Sequence, residues 1–98
     1  MKKIKNIHPG EILEEEFIKP FGITAYRLSK ETNIAQTRLS EIIKGKRGIS
    51  AETALRLSRF FGNSPQFWIG LQSDYELEEE EKAIEKELNH IRVFTPVA

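Results

Sequence analysis

The 98 residues predict an all-α domain of five to six short helices. Three observations carry that reading. Apolar residues recur at helical spacing in successive segments. Pro, Ser, Asn and Gly stand where those segments start and stop. Residues 24–47, TAYRLSKETNIAQTRLSEIIKGKR, hold two short amphipathic patterns joined by a tight turn and closed by a basic loop. That is the layout of a helix-turn-helix, which places one helix in the major groove of DNA.

The elements follow in order. Pro9 suits the first position of a helix, with Glu11 and Glu14 in its favourable first turns. Ile12, Leu13 and Phe17 give its inner face, and it ends before Pro20. His8 belongs to the turn leading into it. Thr24 caps the second helix, Leu28 lies on the buried side, and Ser29 is small enough for close helix crossing. Asn33 sits at the sharp turn because Asn tolerates the left-handed conformation. Ile34 is the apolar anchor at the start of the next element.

The third pattern runs from Gln36 to Lys44. Leu39, Ile42 and Ile43 share one face at i, i+3 and i+4, while Thr37, Ser40, Glu41 and Lys44 share the opposite one. Ala35 cannot cap this helix, at a cost of about 1 kcal/mol. Gly45 stops it. Ser50 caps a fourth helix with Ala54, Leu57 and Phe61 inward, and Gly62 ends it. Ser64 and Pro65 are a cap and a first-position proline for a fifth, in which Phe67, Trp68, Leu71 and Tyr75 form a broad apolar face.

Residues 76–91 change character. Seven glutamates fall between Glu76 and Glu87, yet Leu77, Ile84, Leu88 and Ile91 maintain an apolar stripe. Glu78 and Lys82 make a favourable i, i+4 pair. A solvated helix packed on the domain is the favoured reading, and an acidic element docking on a basic partner is the alternative. The final RVFTPVA is apolar for a tail; it is either without fixed structure or able to pair with another chain's edge strand. Residues 1–77 are therefore expected to form the DNA-binding domain and residues 78–98 an acidic helical extension with an apolar tail.

Residue types on the outer stripe of the third helix match base chemistry. Gln36 can pair with adenine, and Thr37 offers a hydroxyl or a methyl. Ser40 can donate or accept, and Glu41 can accept from a cytosine amino group. Thr24, Arg38, Lys44, Lys46 and Arg47 are the expected phosphate contacts, the last three suiting the helix dipole as well. Taken alone, such a stripe is more often an ordinary solvated face; its flanking turn and basic loop change that balance.

Composition excludes other classes. There is no cysteine, hence no disulfide, thiolate site or cysteine nucleophile. His8 and His90 lie at opposite ends of the chain without metal-ligand spacing, and no serine has a partnered base nearby in sequence. Gly45, Gly48 and Gly62 fit helix ends rather than a phosphate loop. The sequence thus predicts no catalytic residue, no metal and no small-molecule cofactor. The stretch MKKIKNIH is basic but lacks the apolar run of a secretory signal, and FWIGL at 67–71 is too short to span a bilayer. A cytoplasmic protein is expected.

Net charge is zero but unevenly spread. Residues 1–50 carry ten Lys/Arg against six Glu, a net +4, and residues 51–98 carry five against nine Asp/Glu, a net −4. The positive half holds the proposed reading helix. So modest a charge suggests that two copies share a symmetric site. Phe60, Phe67, Trp68 and Leu71 are candidate dimer-interface residues, with Trp68 read as core before interface.

HPGEIL at 8–13, the helix-turn-helix, GKRGIS at 45–50, TALRLSRFFG at 53–62 and SPQFW at 64–68 together resemble the HigA-type antitoxins. These are a branch of the Xre, lambda-repressor-like, DNA-binding proteins, and the resemblance spans about residues 7–77. It implies a homodimer that binds double-stranded operator DNA and represses its own operon. It also implies a partner: a small basic RelE-like toxin that cleaves translated mRNA and is neutralised by the antitoxin. The family's motif positions place base contacts on Gln36, Thr37 and Ser40. A stand-alone regulator of the same fold, without a toxin, is the alternative. A protein-interaction module that has lost DNA binding is a third reading, supported only by the missing cap at Ala35.

Overall fold

Helix α1 (Pro9–Ile12) passes directly into a π-helical segment (Leu13–Ile18) in the computed structural model, which describes residues 5–97. The chain continues as α2 (Ala25–Thr32), α3 (Gln36–Ile43), α4 (Ala51–Phe61), α5 (Pro65–Ala83) and α6 (Glu85–Asn89). Of the basic stretch read at the N-terminus, residues 1–4 lie outside the described residues, as does Ala98 of the tail.

Each predicted cap is made. Thr24, Ser50 and Ser64 accept backbone N–H bonds from Arg27, Thr53 and Phe67, and Pro65 opens α5. His8 does the same for α1: its Nδ1 accepts from Gly10 N at 2.9 Å. Burial holds the His8 imidazole below its ordinary pKa of 6.5. A neutral ring keeps the cap; a protonated one loses its acceptor. The stability from His8 is therefore fully present above pH 6.5 and lost as pH falls through the lowered folded value. A His8→Asn variant, which caps without titrating, should flatten that part of a melting-temperature profile against pH.

The π-helical segment is not foreshadowed by the 3.6-residue pattern. Lys19 N bonds Glu14 O and Ile23 N bonds Ile18 O, both at i, i+5. The wider turn suits the burial of Leu13 and Ile18, five residues apart.

The core gathers Leu13, Ile18, Leu28, Ile34, Leu39, Ile42, Ile49, Ala54, Leu57 and Trp68, so the π-helical segment and each helix from α2 to α5 contribute. Trp68 is 0% exposed, and its indole N–H is donated to Asn63 Oδ1 at 3.0 Å. It therefore offers no surface to a second copy and drops out of the expected dimer interface. Phe67 stays exposed, and Phe60 and Leu71 are half-buried. Phe17 ties these rings together, lying 4.8 Å from Trp68, 5.0 Å from Phe61 and 5.7 Å from Phe67 between ring centroids.

Gly48 also differs from expectation. It is not a helix end. A Cβ there would lie 2.6 Å from Gln72 Nε2, so glycine allows the buried Gln72 amide to approach the loop. Gln72 Oε1 accepts from Ile49 N at 2.8 Å, while its Nε2 donates to Glu76 at 2.8 Å. Gln72→Leu should cost about 2 kcal/mol in chemical denaturation, because Ile49 N–H would be buried without an acceptor.

The acidic segment does not pack back on the domain. From residue 76 to residue 97 every residue is exposed, and Leu77 (69%) and Ile91 (71%) are the barest of the stripe. Helix α5 runs unbroken through residues 77 and 78 to Ala83, and the non-helical backbone of Ile84 (φ −118°, ψ 25°) separates it from α6. Lys82 sits 3.8 Å from both Glu78 and Glu79. Residues 91–97 form neither helix nor strand.

Candidate nucleic-acid interface

The helix-turn-helix is α2, the turn at residues 33–35, and α3. Asn33 adopts the left-handed conformation the turn requires, at φ 60° and ψ 28°. Two buried hydroxyls fasten it. Ser29 Oγ donates to Ile34 O, and Thr32 Oγ1 donates to Leu28 O while accepting from Ile34 N. Arg56 on α4 adds a bond from its guanidinium to Thr32 O at 3.1 Å. The sequence credits Ser29 only with small size. Its hydroxyl, with that of Thr32, is what leaves no polar side-chain atom of this turn stranded.

Helix α3 lacks a side-chain cap at Ala35, as expected. Burial holds it instead: Leu39 and Ile42 are fully inside, and Ile43 is half-buried. The opposite face therefore points outward. Gln36 and Thr37 are exposed, and Ser40 and Glu41 are half-exposed, all on that one stripe. At the far end Lys46 N bonds Glu41 O and Gly45 N bonds Ile42 O, closing the helix in the Schellman pattern with Gly45 at φ 77°. This fold-back leaves Lys44, Lys46 and Arg47 exposed as a basic collar.

Three of the expected contacts, Glu41, Arg47 and Arg38, are already engaged with other side chains. Glu41 Oε1 accepts from Arg47 Nε at 3.0 Å, a bond that does not use the terminal amino groups of Arg47. That pairing offsets the repulsion a lone carboxylate would feel beside phosphates. Arg38 reaches Glu52 on α4 at 3.3 Å, and Glu52 also meets Arg56 at 3.3 Å. The bond from Arg56, then that from Arg38, holds the Glu52 carboxyl below its ordinary pKa. Thr24 stays exposed while its hydroxyl caps α2.

A cleft of about 210 Å³ opens between the start of α2 and the outer face of α3, lined by Ala25, Tyr26, Gln36, Ser40, Ile43 and Lys44. Tyr26, which the apolar pattern did not single out, lines this cleft. Among the described residues no cluster of His, Asp and Glu is arranged to hold a metal ion, and no helix is long and apolar enough to cross a membrane.

Known proteins share this arrangement. The helix-turn-helix family model matches residues 15–68. Virulence-associated protein I of Dichelobacter nodosus is 42% identical over 92 residues, covering 94% of this chain and 82% of that protein. The antitoxin HigA of Pseudomonas aeruginosa, solved with the higBA promoter, superposes with a TM-score of 0.87 at 38% identity, over 93% of this chain and all of the other. An addiction-module antidote protein of the HigA family from Coxiella burnetii gives a TM-score of 0.86 at 38% identity, again over 93% of this chain and all of the other.

Proposed function

Because this chain belongs to the HigA-type antitoxins of the helix-turn-helix family, we propose that it binds its own operator as a homodimer, represses the operon, and neutralises a cognate RelE-like mRNA-cleaving toxin. It acts by binding rather than catalysis, in the cytoplasm. The carrying observation is the division of α3 into a buried Leu39–Ile42 face and an outer Gln36–Thr37–Ser40–Glu41 stripe that runs into a basic collar. In this reading those four side chains meet base edges in the major groove. Thr24, Arg38, Lys44, Lys46 and Arg47 hold phosphates, Arg38 by giving up its bond to Glu52.

Residues 1–77 serve as the DNA-binding domain and 78–98 as the partner-binding extension. The exposed stripe of Leu77, Ile84, Leu88 and Ile91, with Phe67 nearby in sequence, supports association with a second copy. The seven exposed glutamates from Glu76 to Glu87 suit a basic toxin. A stand-alone regulator is the second reading, kept because the 42%-identical relative is named for virulence rather than for a toxin.

Binding to DNA from upstream of its own gene, measured as salt is varied, tests the DNA half. Four Lys/Arg phosphate contacts per copy, eight per dimer, predict a log–log slope of about −7. Lys46→Ala should weaken binding to all sequences alike and flatten the slope by about one unit per copy. A flat response in the wild-type protein would contradict groove binding. Co-expression with the adjacent gene followed by a pull-down tests the toxin half: recovery of a small basic partner supports the antitoxin reading, and its absence favours the stand-alone regulator.

A further inference from the structure

The outer end of α2 presents an aromatic side chain where a structural role alone would favour a polar one. Tyr26 is 56% exposed, while the buried side of the same helix is made by Leu28, Ser29 and Thr32. Lys30 Nζ lies 5.4 Å from the centre of its ring, a cation–π contact that places positive charge beside it. The ring forms one wall of the cleft whose other wall carries Gln36 and Ser40 of the reading stripe. Ala25 and Ile43 add apolar lining, and Lys44 adds a cation.

The geometry points to Tyr26 as a specificity-determining residue that receives the 5-methyl group of one operator thymine in each half-site. This rests on the DNA-binding reading of α3 and names a contact that reading lacks. Among the four bases thymine alone shows an apolar group in the major groove, and it does so next to the O4 acceptor. The cleft matches both features. Tyr26, Ala25 and Ile43 shelter a methyl group, and Gln36 and Ser40 supply donors for the neighbouring oxygen. Neither cytosine nor a purine has a methyl to bury. The positive charge of Lys30 and Lys44 on either side favours approach of the flanking phosphates.

The test starts from the duplex that the protein selects out of a randomised pool. Each thymine is replaced in turn by deoxyuridine, which removes only the methyl group. One thymine per half-site should then cost the wild-type protein about fourfold in affinity, the scale of one buried methyl. Tyr26→Ala should bind the parent duplex more weakly and lose that deoxyuridine penalty, while Tyr26→Phe should keep it. Because Tyr26 is mostly exposed, a melting curve for Tyr26→Ala should match wild type. Two results would overturn the assignment. One is a deoxyuridine penalty that is absent everywhere or unchanged in Tyr26→Ala. The other is an equal loss for Tyr26→Ala on selected and mixed-sequence DNA, which would place the ring against the backbone. A wild-type protein that selects no sequence would instead overturn the reading of α3 itself, and this assignment with it.

Discussion

Gly10→Ala should destabilise the protein by about 3 kcal/mol or more and displace α3 with it. Gly10 is buried in α1 where that helix crosses the end of α3. A Cβ at this position would stand 1.8 Å from the backbone oxygen of Ile42 and 2.6 Å from its carbonyl carbon. Those are backbone atoms of α3, held by its own hydrogen bonds and by the burial of Ile42, so no side-chain rotation relieves the overlap. One helix must move. For a chain of this size the loss corresponds to a fall in melting temperature of roughly 12–24 °C. Gly70→Ala is the matched control. That glycine lies inside α5, where an added methyl would meet nothing within 4 Å, so alanine there should stabilise by about 0.5–1 kcal/mol. Differential scanning calorimetry on both variants separates close approach from helix propensity. A Gly10→Ala protein that melts with the wild type would refute the α1–α3 packing.

The second large effect concerns recognition. Thr37→Ala and Ser40→Ala should each weaken operator binding by about 1–3 kcal/mol, and the double variant by more, while nonspecific binding stays nearly intact. Both side chains stand on the outer face of α3 and neither contributes to the core, so the fold should survive. Lys46 sits in the collar beyond Gly45, where it can only add charge. The ratio of specific to nonspecific affinity therefore distinguishes the two roles. If Ser40→Ala and Lys46→Ala shift that ratio equally, the division into readers and clamps fails.

Much of this was legible because the chain places its stops and starts openly. Thr24, Ser50, Ser64, Pro65, Asn33, Gly45 and Gly62 each occupy the capping or left-handed position that their chemistry predicts. The buried face of α3 followed from i, i+3, i+4 spacing alone. What escaped was non-local. Gln72 reads as one more polar residue on α5, and only its approach across 23 positions to Ile49 N reveals its use. Gly10 carries no positive φ, so its need appears only when α3 is packed against it. Trp68 could not be divided between core and interface by periodicity, since both roles use the same helical face. The acidic stripe misled for the opposite reason: its spacing implied a covered surface, but α5 projects past the core before Leu77 is reached. The π-helical segment left no mark because its two buried residues, Leu13 and Ile18, are too few to define a period.

Chemical footprinting with dimethyl sulfate on the selected duplex asks most directly whether the outer stripe of α3 enters the wide groove. Guanine N7 faces the major groove and adenine N3 the minor groove. Two patches of N7 protection, one per half-site and about one helical turn apart, with adenine N3 between them still reactive, are the expected pattern, and Ser40→Ala should thin the N7 protection first. Protection confined to adenine N3, or N7 reactivity unchanged at full occupancy, would show that α3 lies elsewhere.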